Sequence, residues 1–211
     1  MPEAPTITSP TERPHTAVTS MPDDVQPEPD IEDLAARSGA GCAASFEALV
    51  SHFEKRIFHY LFQMTRNQHD AEDLTQVTFL KAYQNIHRYQ SKHAFSTWLF
   101  TIAKRTALNH FRDSRPVEEL GPELAAPTED PSVILEKEDA YNGLWKLARS
   151  LKPDQHEALW LRYGEGFSIS ETARVMRTNS LRVRVLLHRA RAALAKTVTR
   201  SREQNIYRRK E

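Results

Sequence analysis

The sequence predicts an all-α fold: two small helical domains joined by a flexible acidic linker, the C-terminal domain containing a helix-turn-helix. Three observations carry that prediction. Apolar residues recur at three- and four-residue steps, no stretch sustains the alternation of a strand, and eleven of the twelve prolines fall in residues 1–29 and 114–133.

Residues 1–30 read as an N-terminal extension. Seven prolines, spaced by Thr and Ser, leave almost no large apolar side chain there. Such a segment cannot offset its ordering entropy and is expected to be disordered.

Helical patterning starts at Ile31 and defines a first domain over residues 31–113. Ser45 is a candidate N-cap. After it, Phe46, Leu49, Val50, Phe53, Ile57, Tyr60, Leu61 and Met64 form one apolar stripe on a helix of about five turns. A second long helix is expected from about Asp70 to His87. Its opening acids, in DAEDLTQVTFLKAY, suit the positive end of a helix. Asp73, Gln76, Leu80 and Tyr83 share one side of it, a mixed polar and apolar face suited to a partner.

A connector, Tyr89 to His93, leads to a third long helix from about Phe95 to Arg112, FSTWLFTIAKRTALNHFRDSR. Leu99, Ile102, Ala103 and Thr106 make its inward face. Trp98, Arg105, Asn109 and Arg112 line the face beside it. An aromatic ring, two guanidiniums and an amide supply what single-stranded nucleic acid requires: stacking, phosphate neutralisation and base-edge hydrogen bonds.

Residues 114–137 form the linker. Pro116, Gly121, Pro122, Pro127 and Pro131 among acids break any helix. The second domain spans 138–198. Leu144, Trp145, Leu147, Ala148 and Leu151 make a helical stripe, and Pro153 marks the next helix start. Gly164 and Gly166 bracket a turn, after which Ser168 and Glu171 fit a capping box.

Residues 169–188 then fit a helix-turn-helix. Ala173 lets the two helices cross closely, Met176, Val183 and Leu186 are the buried contacts, and Asn179 or Ser180 caps the second helix. The turn has Arg177 where the motif normally has glycine. A left-handed conformation costs a non-glycine residue about 1–2 kcal/mol, and Asn179 tolerates it better, so the turn is expected to shift by a residue or two. The second helix of such a motif enters the major groove. Here it carries Arg182, Arg184, His188, Arg189 and Arg191, and arginine suits both guanine and phosphate. Residues 199–211 read as a basic tail.

The net charge of +1 conceals segregation. Residues 1–30 carry six acids against Arg13; residues 81–115 carry seven bases against Asp113. Residues 115–139 hold eight acids against Arg115 and Lys137, and residues 174–211 hold twelve bases against Glu203 and Glu211. Two basic blocks separated by an acidic one suggest two surfaces for a polyanion.

Composition narrows the class further. No apolar run approaches the roughly 20 residues of a membrane span, and no apolar segment opens the chain as a secretory signal would. The single cysteine, Cys42, forms no intrachain disulfide, and a cytoplasmic location is the expectation. No HExxH, Cys/His ligand spacing or glycine-rich phosphate loop accompanies the nine histidines. The acids of His69, Asp70, Glu72 and Asp73 read as helix-capping. The expectation is therefore a non-enzyme with no metal and no cofactor.

Taken together, FEALVSHFEKRIFHYLF, DAEDLTQVTFLKAY and FSTWLFTIAKRTALNHFRDSR resemble the N-terminal conserved domain of extracytoplasmic-function (ECF) sigma factors of the sigma-70 superfamily. LKPDQHEALWLRYGEGFSISETARV with RVRVLLHRARAAL resembles their C-terminal domain. The match covers roughly residues 31–113 and 138–196, in the family's order and spacing.

The resemblance implies that the chain binds core RNA polymerase and directs promoter opening. Region 2, residues 31–113, would bind the clamp helices of the largest polymerase subunit through Asp73, Gln76, Leu80 and Tyr83. It would melt and read the −10 element through Lys92, His93, Phe95, Trp98, Arg105, Asn109 and Arg112. Region 4, residues 138–198, would dock on the polymerase flap and read the duplex −35 element through Ser180, Arg182, Arg184, His188 and Arg189. The acidic linker would thread toward the active-site channel. Such factors are commonly held inactive by an anti-sigma factor. The family often has Asn where this chain has Arg105, Asp where it has Asn109, and Thr where it has Arg182, which leaves the promoter sequence open. A stand-alone dimeric helix-turn-helix regulator would account for residues 169–188 but not for the Trp98–Arg112 face.

Overall fold

The computed structural model describes residues 30–113, 145 and 147–208, with side chains to Thr199. The expected N-terminal extension, the acidic linker at 114–137 and the final residues of the basic tail lie outside the described residues. Among the described residues every regular element is helical.

Four helices build the first domain: α1 (Ile31–Gly39), α2 (Ala43–Thr65), α3 (Gln68–Asn85) and α4 (Phe95–Asp113), with a 3₁₀ turn at Ile86–Arg88. Polar caps start α1 and α3. Asp30 accepts from the amides of Glu32 and Asp33 at 3.0 and 3.2 Å, and Asn67 accepts from Asp70 at 3.3 Å. Ser45 does not cap α2 as expected. The helix begins at Ala43, because Gly41 (φ 99) turns the chain into it earlier; Ser45 is buried in the first turn and donates to the Cys42 sulfur at 3.2 Å.

The apolar stripe of α2 buries Leu49, Phe53, Ile57, Tyr60 and Leu61 against Leu99, Phe100 and Ala103 of α4. Tilted and edge-on ring pairs fill the centre, among them Tyr60 with Phe100 at 5.2 Å and Phe53 with Phe95 at 5.6 Å. Truncating a ring of that core costs about 3–5 kcal/mol.

The second domain contains helical residues at 145, 147 and 148, then α5 (Pro153–Leu159), a π-helical turn at Trp160–Gly164, α6 (Ile169–Val175) and α7 (Ser180–Arg208). Pro153 occupies the first turn of α5. The capping box of α6 closes in both directions: Ser168 accepts from the Glu171 amide at 3.2 Å, and Glu171 accepts from the Ser168 amide at 2.8 Å. Ala158, Ala173, Val183, Leu186 and Leu187 lock α5, α6 and α7 together. Helix α7 runs on to Arg208, so the basic tail expected from residue 199 continues the helix.

The helix-turn-helix turn does not shift. Arg177 itself adopts the left-handed conformation (φ 53), while the Asn179 side chain accepts from the Arg182 amide at 2.8 Å and caps α7. Asn179 is thus committed to the cap, which leaves Arg177 to make the turn.

The two domains are packed together rather than standing apart as separate bundles. Helix α4 lies against α6, and α2 meets α5. Leu161, Phe167 and Val175 of the second domain join the core of the first, with Phe167 edge-on to Phe100 at 5.1 Å. Three carboxylates cross the boundary. Glu157 accepts from Tyr60 at 2.7 Å and Lys104 at 2.5 Å, Glu165 accepts from Arg56 at 2.9 Å, and Glu171 accepts from Thr97 at 3.4 Å.

Candidate functional site

Three exposed surfaces carry the residues that the sequence singles out. On α3, Asp73, Gln76, Leu80 and Tyr83 are all exposed on one side of the helix. Leu80 and Tyr83 are 57% and 53% exposed, high for large apolar side chains, while Ala71, Leu74, Thr78 and Ala82 bury the opposite side. The Tyr83 ring is steadied by Phe46 of α2 at 5.0 Å. The result is a flat, part-apolar face with acidic and amide groups at one end.

The second surface runs along α4. Arg105, Asn109 and Arg112 are exposed at i, i+4 and i+7, so they stand in one row. Trp98 is half-buried, held between Tyr89 and Phe95 at 5.4 Å from each. Lys92 projects from the connector turn and is exposed; His93 is half-buried. Phe95 departs from expectation as a residue facing DNA. It is 1% exposed and packs on Phe53, Tyr89 and Trp98, because it opens α4 at the point where the helix meets the core. Phe95 supports the connector from beneath.

Sequence reasoning missed what holds that connector. Glu32 of α1 accepts from the Phe95 amide at 2.9 Å, capping α4 from another helix, and its second oxygen takes the Tyr89 hydroxyl. The Tyr89 hydroxyl also contacts the His93 carbonyl at 2.8 Å, closing the turn on itself. Burial and the Glu32 carboxylate push the Tyr89 phenol well above its usual range, so it stays a donor. Nothing in the local pattern near Glu32 signals a contact 63 residues away.

The third surface is the outer face of α7. Arg182, Arg184, His188 and Arg189 are exposed, and Ser180 is half-buried at the helix start. Arg182 contacts Asp154 of α5 at 3.2 Å, with both side chains more than half exposed. Such a surface pair is worth little and yields readily to a phosphate. Leu181 and Val185, which the sequence did not single out, lie exposed among these bases.

The acids at 69–73 have ordinary structural partners. Asp70 lies 3.6 Å from His110, and Glu72 takes the Gln68 amide at 2.8 Å. Among the described residues, no cluster of three or more His, Cys, Asp or Glu is arranged to hold a metal ion. None of the described helices is long and apolar enough to cross a membrane.

Fold and surfaces together define a two-domain helical protein whose second domain is a helix-turn-helix. Comparison with known proteins resolves the class. Residues 49–117 match the family model described as Sigma-70 region 2, and residues 141–194 match Sigma-70, region 4. The chain is 30% identical over 167 residues to the RNA polymerase sigma factor YlaC of Bacillus subtilis, covering 76% of this chain and 95% of that one. It is 33% identical over 172 residues to the ECF RNA polymerase sigma factor BldN of Streptomyces coelicolor, covering 78% of this chain and 64% of the relative. In fold it is similar to CnrH, solved in complex with the cytosolic domain of CnrY. The TM-score is 0.58 at 21% identity, over 79% of this chain and 96% of that one. The chain belongs to the ECF-type RNA polymerase sigma factors of the sigma-70 family, non-enzymatic factors of transcription initiation.

Proposed function

We propose that this sigma factor divides its work among the three surfaces. The α3 face of Asp73, Gln76, Leu80 and Tyr83 binds the clamp helices of core RNA polymerase. The connector and the α4 row, Lys92, His93, Trp98, Arg105, Asn109 and Arg112, hold the unpaired −10 strand. Helix α7, through Ser180, Arg182, Arg184, His188 and Arg189, reads the duplex −35 element. The domain limits follow: region 2 over 31–113, region 4 over 138–198, with the acidic linker at 114–137 between them and extensions at each end. An anti-sigma factor is a third partner, and the site of action is the cytoplasm, where polymerase and promoter are found.

The observation that carries this reading is the row of Arg105, Asn109 and Arg112, exposed on α4 directly beyond a connector pinned by Glu32. A base removed from the duplex loses a few kcal/mol of stacking and must be held by polar or aromatic walls. The pinned turn offers Lys92 and His93 for this, backed by the half-buried Trp98. Asn109→Ala with Arg112→Ala is expected to leave polymerase binding intact and to block open-complex formation, with partial rescue on a pre-melted promoter. Normal permanganate reactivity of promoter thymines in the double variant rules the assignment out.

A further inference from the structure

Helix α7 carries an apolar feature that basic phosphate contacts do not require. Leu181 is 68% exposed and Val185 is 40% exposed, one turn apart at the start of the helix. Neither fills a gap in the core, because Val183, Leu186, Leu187 and Ala190 already bury the opposite side. The register is fixed by the Asn179 cap and by the left-handed turn at Arg177. Leu181 and Val185 therefore occupy the first two turns of the outer face, where the second helix of this motif approaches base edges. Arg182, Arg184 and Arg189 flank them, all exposed.

What distinguishes this pair from other exposed apolar side chains such as Leu108 is its setting among bases on the outer face of α7. A ring of guanidiniums around the pair suits a polyanion and disfavours an apolar protein groove. In the major groove one apolar group is available for contact, the C5-methyl of thymine. We propose that Leu181 and Val185 are specificity residues of region 4 that read thymine methyl groups in the −35 element, while the flanking arginines hold the phosphates and guanines. This inference rests on the placement of α7 in the −35 major groove. Burying one methyl against Leu or Val is expected to change affinity about fourfold per position.

The test uses holoenzyme reconstituted from core polymerase and the full chain, bound to a promoter selected by that holoenzyme in vitro. Each thymine of the upstream element is replaced singly by deoxyuridine, which removes only the methyl group. The parent should lose about fourfold in affinity at one or two positions. Leu181→Ala and Val185→Ala should each become indifferent to the change at its own position while retaining the parent's salt dependence. Arg184→Ala and Arg189→Ala serve as the independent arm, each lowering the log–log salt slope by roughly 0.9 for a lost phosphate contact. If the arginine variants weaken binding but both apolar variants keep the parent's thymine-to-deoxyuridine profile, the methyl-reading inference fails alone, and a protein partner covers the pair. If the arginine variants also bind as the parent does, the placement of α7 on the −35 element fails with it.

Discussion

Lys104 of α4 donates to Glu157 of α5 at 2.5 Å, tying the proposed −10 helix to the first helix of the packed second domain. The two side chains are only 13% and 8% exposed, and the Tyr60 hydroxyl gives Glu157 a second donor. Removing one partner of a buried pair leaves an uncompensated charge, at a cost of roughly 3–5 kcal/mol. Lys104→Met should therefore loosen the domain pairing, seen as faster amide hydrogen exchange across residues 153–159. Unchanged exchange there would show that the ion pair does not hold the domains.

The same pairing has a geometric consequence on a promoter. Helix α4 touches α6, and α6 touches α7, so the proposed −10 and −35 readers lie about two helix spacings apart, on the order of 20 Å. Elements centred roughly 25 base pairs apart are separated by about 85 Å of duplex at 3.4 Å per step. The packed arrangement has to open for both to be read. Joining the Lys104 amine to the Glu157 carboxylate as an amide with a zero-length carbodiimide, which their 2.5 Å contact permits, should abolish promoter binding by the holoenzyme, while Lys104→Met treated in the same way should keep it. Full binding by the cross-linked protein would contradict that geometry.

On α3, the exposed face makes a simple expectation. Asp73→Arg with Gln76→Ala should remove co-purification with core polymerase while leaving helicity unchanged, because neither side chain packs into the core. Retained co-purification would move the polymerase contact elsewhere.

Arg177 holds a left-handed conformation at φ 53, which costs a non-glycine residue about 1–2 kcal/mol. Arg177 is exposed, so Arg177→Gly removes that strain without opening a cavity. The variant should melt a few degrees higher, about 2–4 °C per kcal/mol at this chain length. A lower melting temperature would mean that the Arg177 side chain contributes more than its backbone costs.

His156 supplies a pH dependence. Burial, then the neighbouring Arg66 and Arg149 charges, lowers its pKa to about 4. The folded protein keeps the imidazole neutral, while the unfolded chain takes up a proton near pH 6.5. Stability attached to this group is thus fully present above about pH 6.5 and is lost as pH falls toward 4, by about 3 kcal/mol in all. Its Nε2 is buried without a hydrogen-bond partner, so His156→Leu forfeits no bond at that atom. Denaturant titrations from pH 7 to 4 should show a shallower loss for His156→Leu than for the parent. Parallel curves would remove His156 as the source.

The sequence alone was enough for the helices and for the family. Three- and four-residue apolar spacing located α2 and α4, since burial of one face imposes that period whatever the partner. Pro153, the Ser168–Glu171 box and the Val183–Leu186 pair located α5, α6 and α7, because caps and turns are chemistry between residues a few positions apart. The exposed rows on α3 and α4 were legible for the same reason.

Contacts between distant segments were not legible. The Ser45 cap was misassigned because the entry angle into α2 is set at Gly41, and Phe95 was assigned to the surface because its burial depends on Phe53 and Tyr89. The exposure of Leu181 and Val185 is likewise decided by packing, since Val183, Leu186 and Leu187 take the buried side of the helix. Only tertiary structure joined Glu32 to the amide of Phe95, and Glu157 to Tyr60 and Lys104. Local propensity acts over a helical turn, whereas a buried carboxylate finds its donors wherever the folded chain brings them. The sequence determined which helices form and what family they build; the long-range contacts of Glu157, Glu165 and Glu171, together with Phe167 against Phe100, decided how the two domains meet.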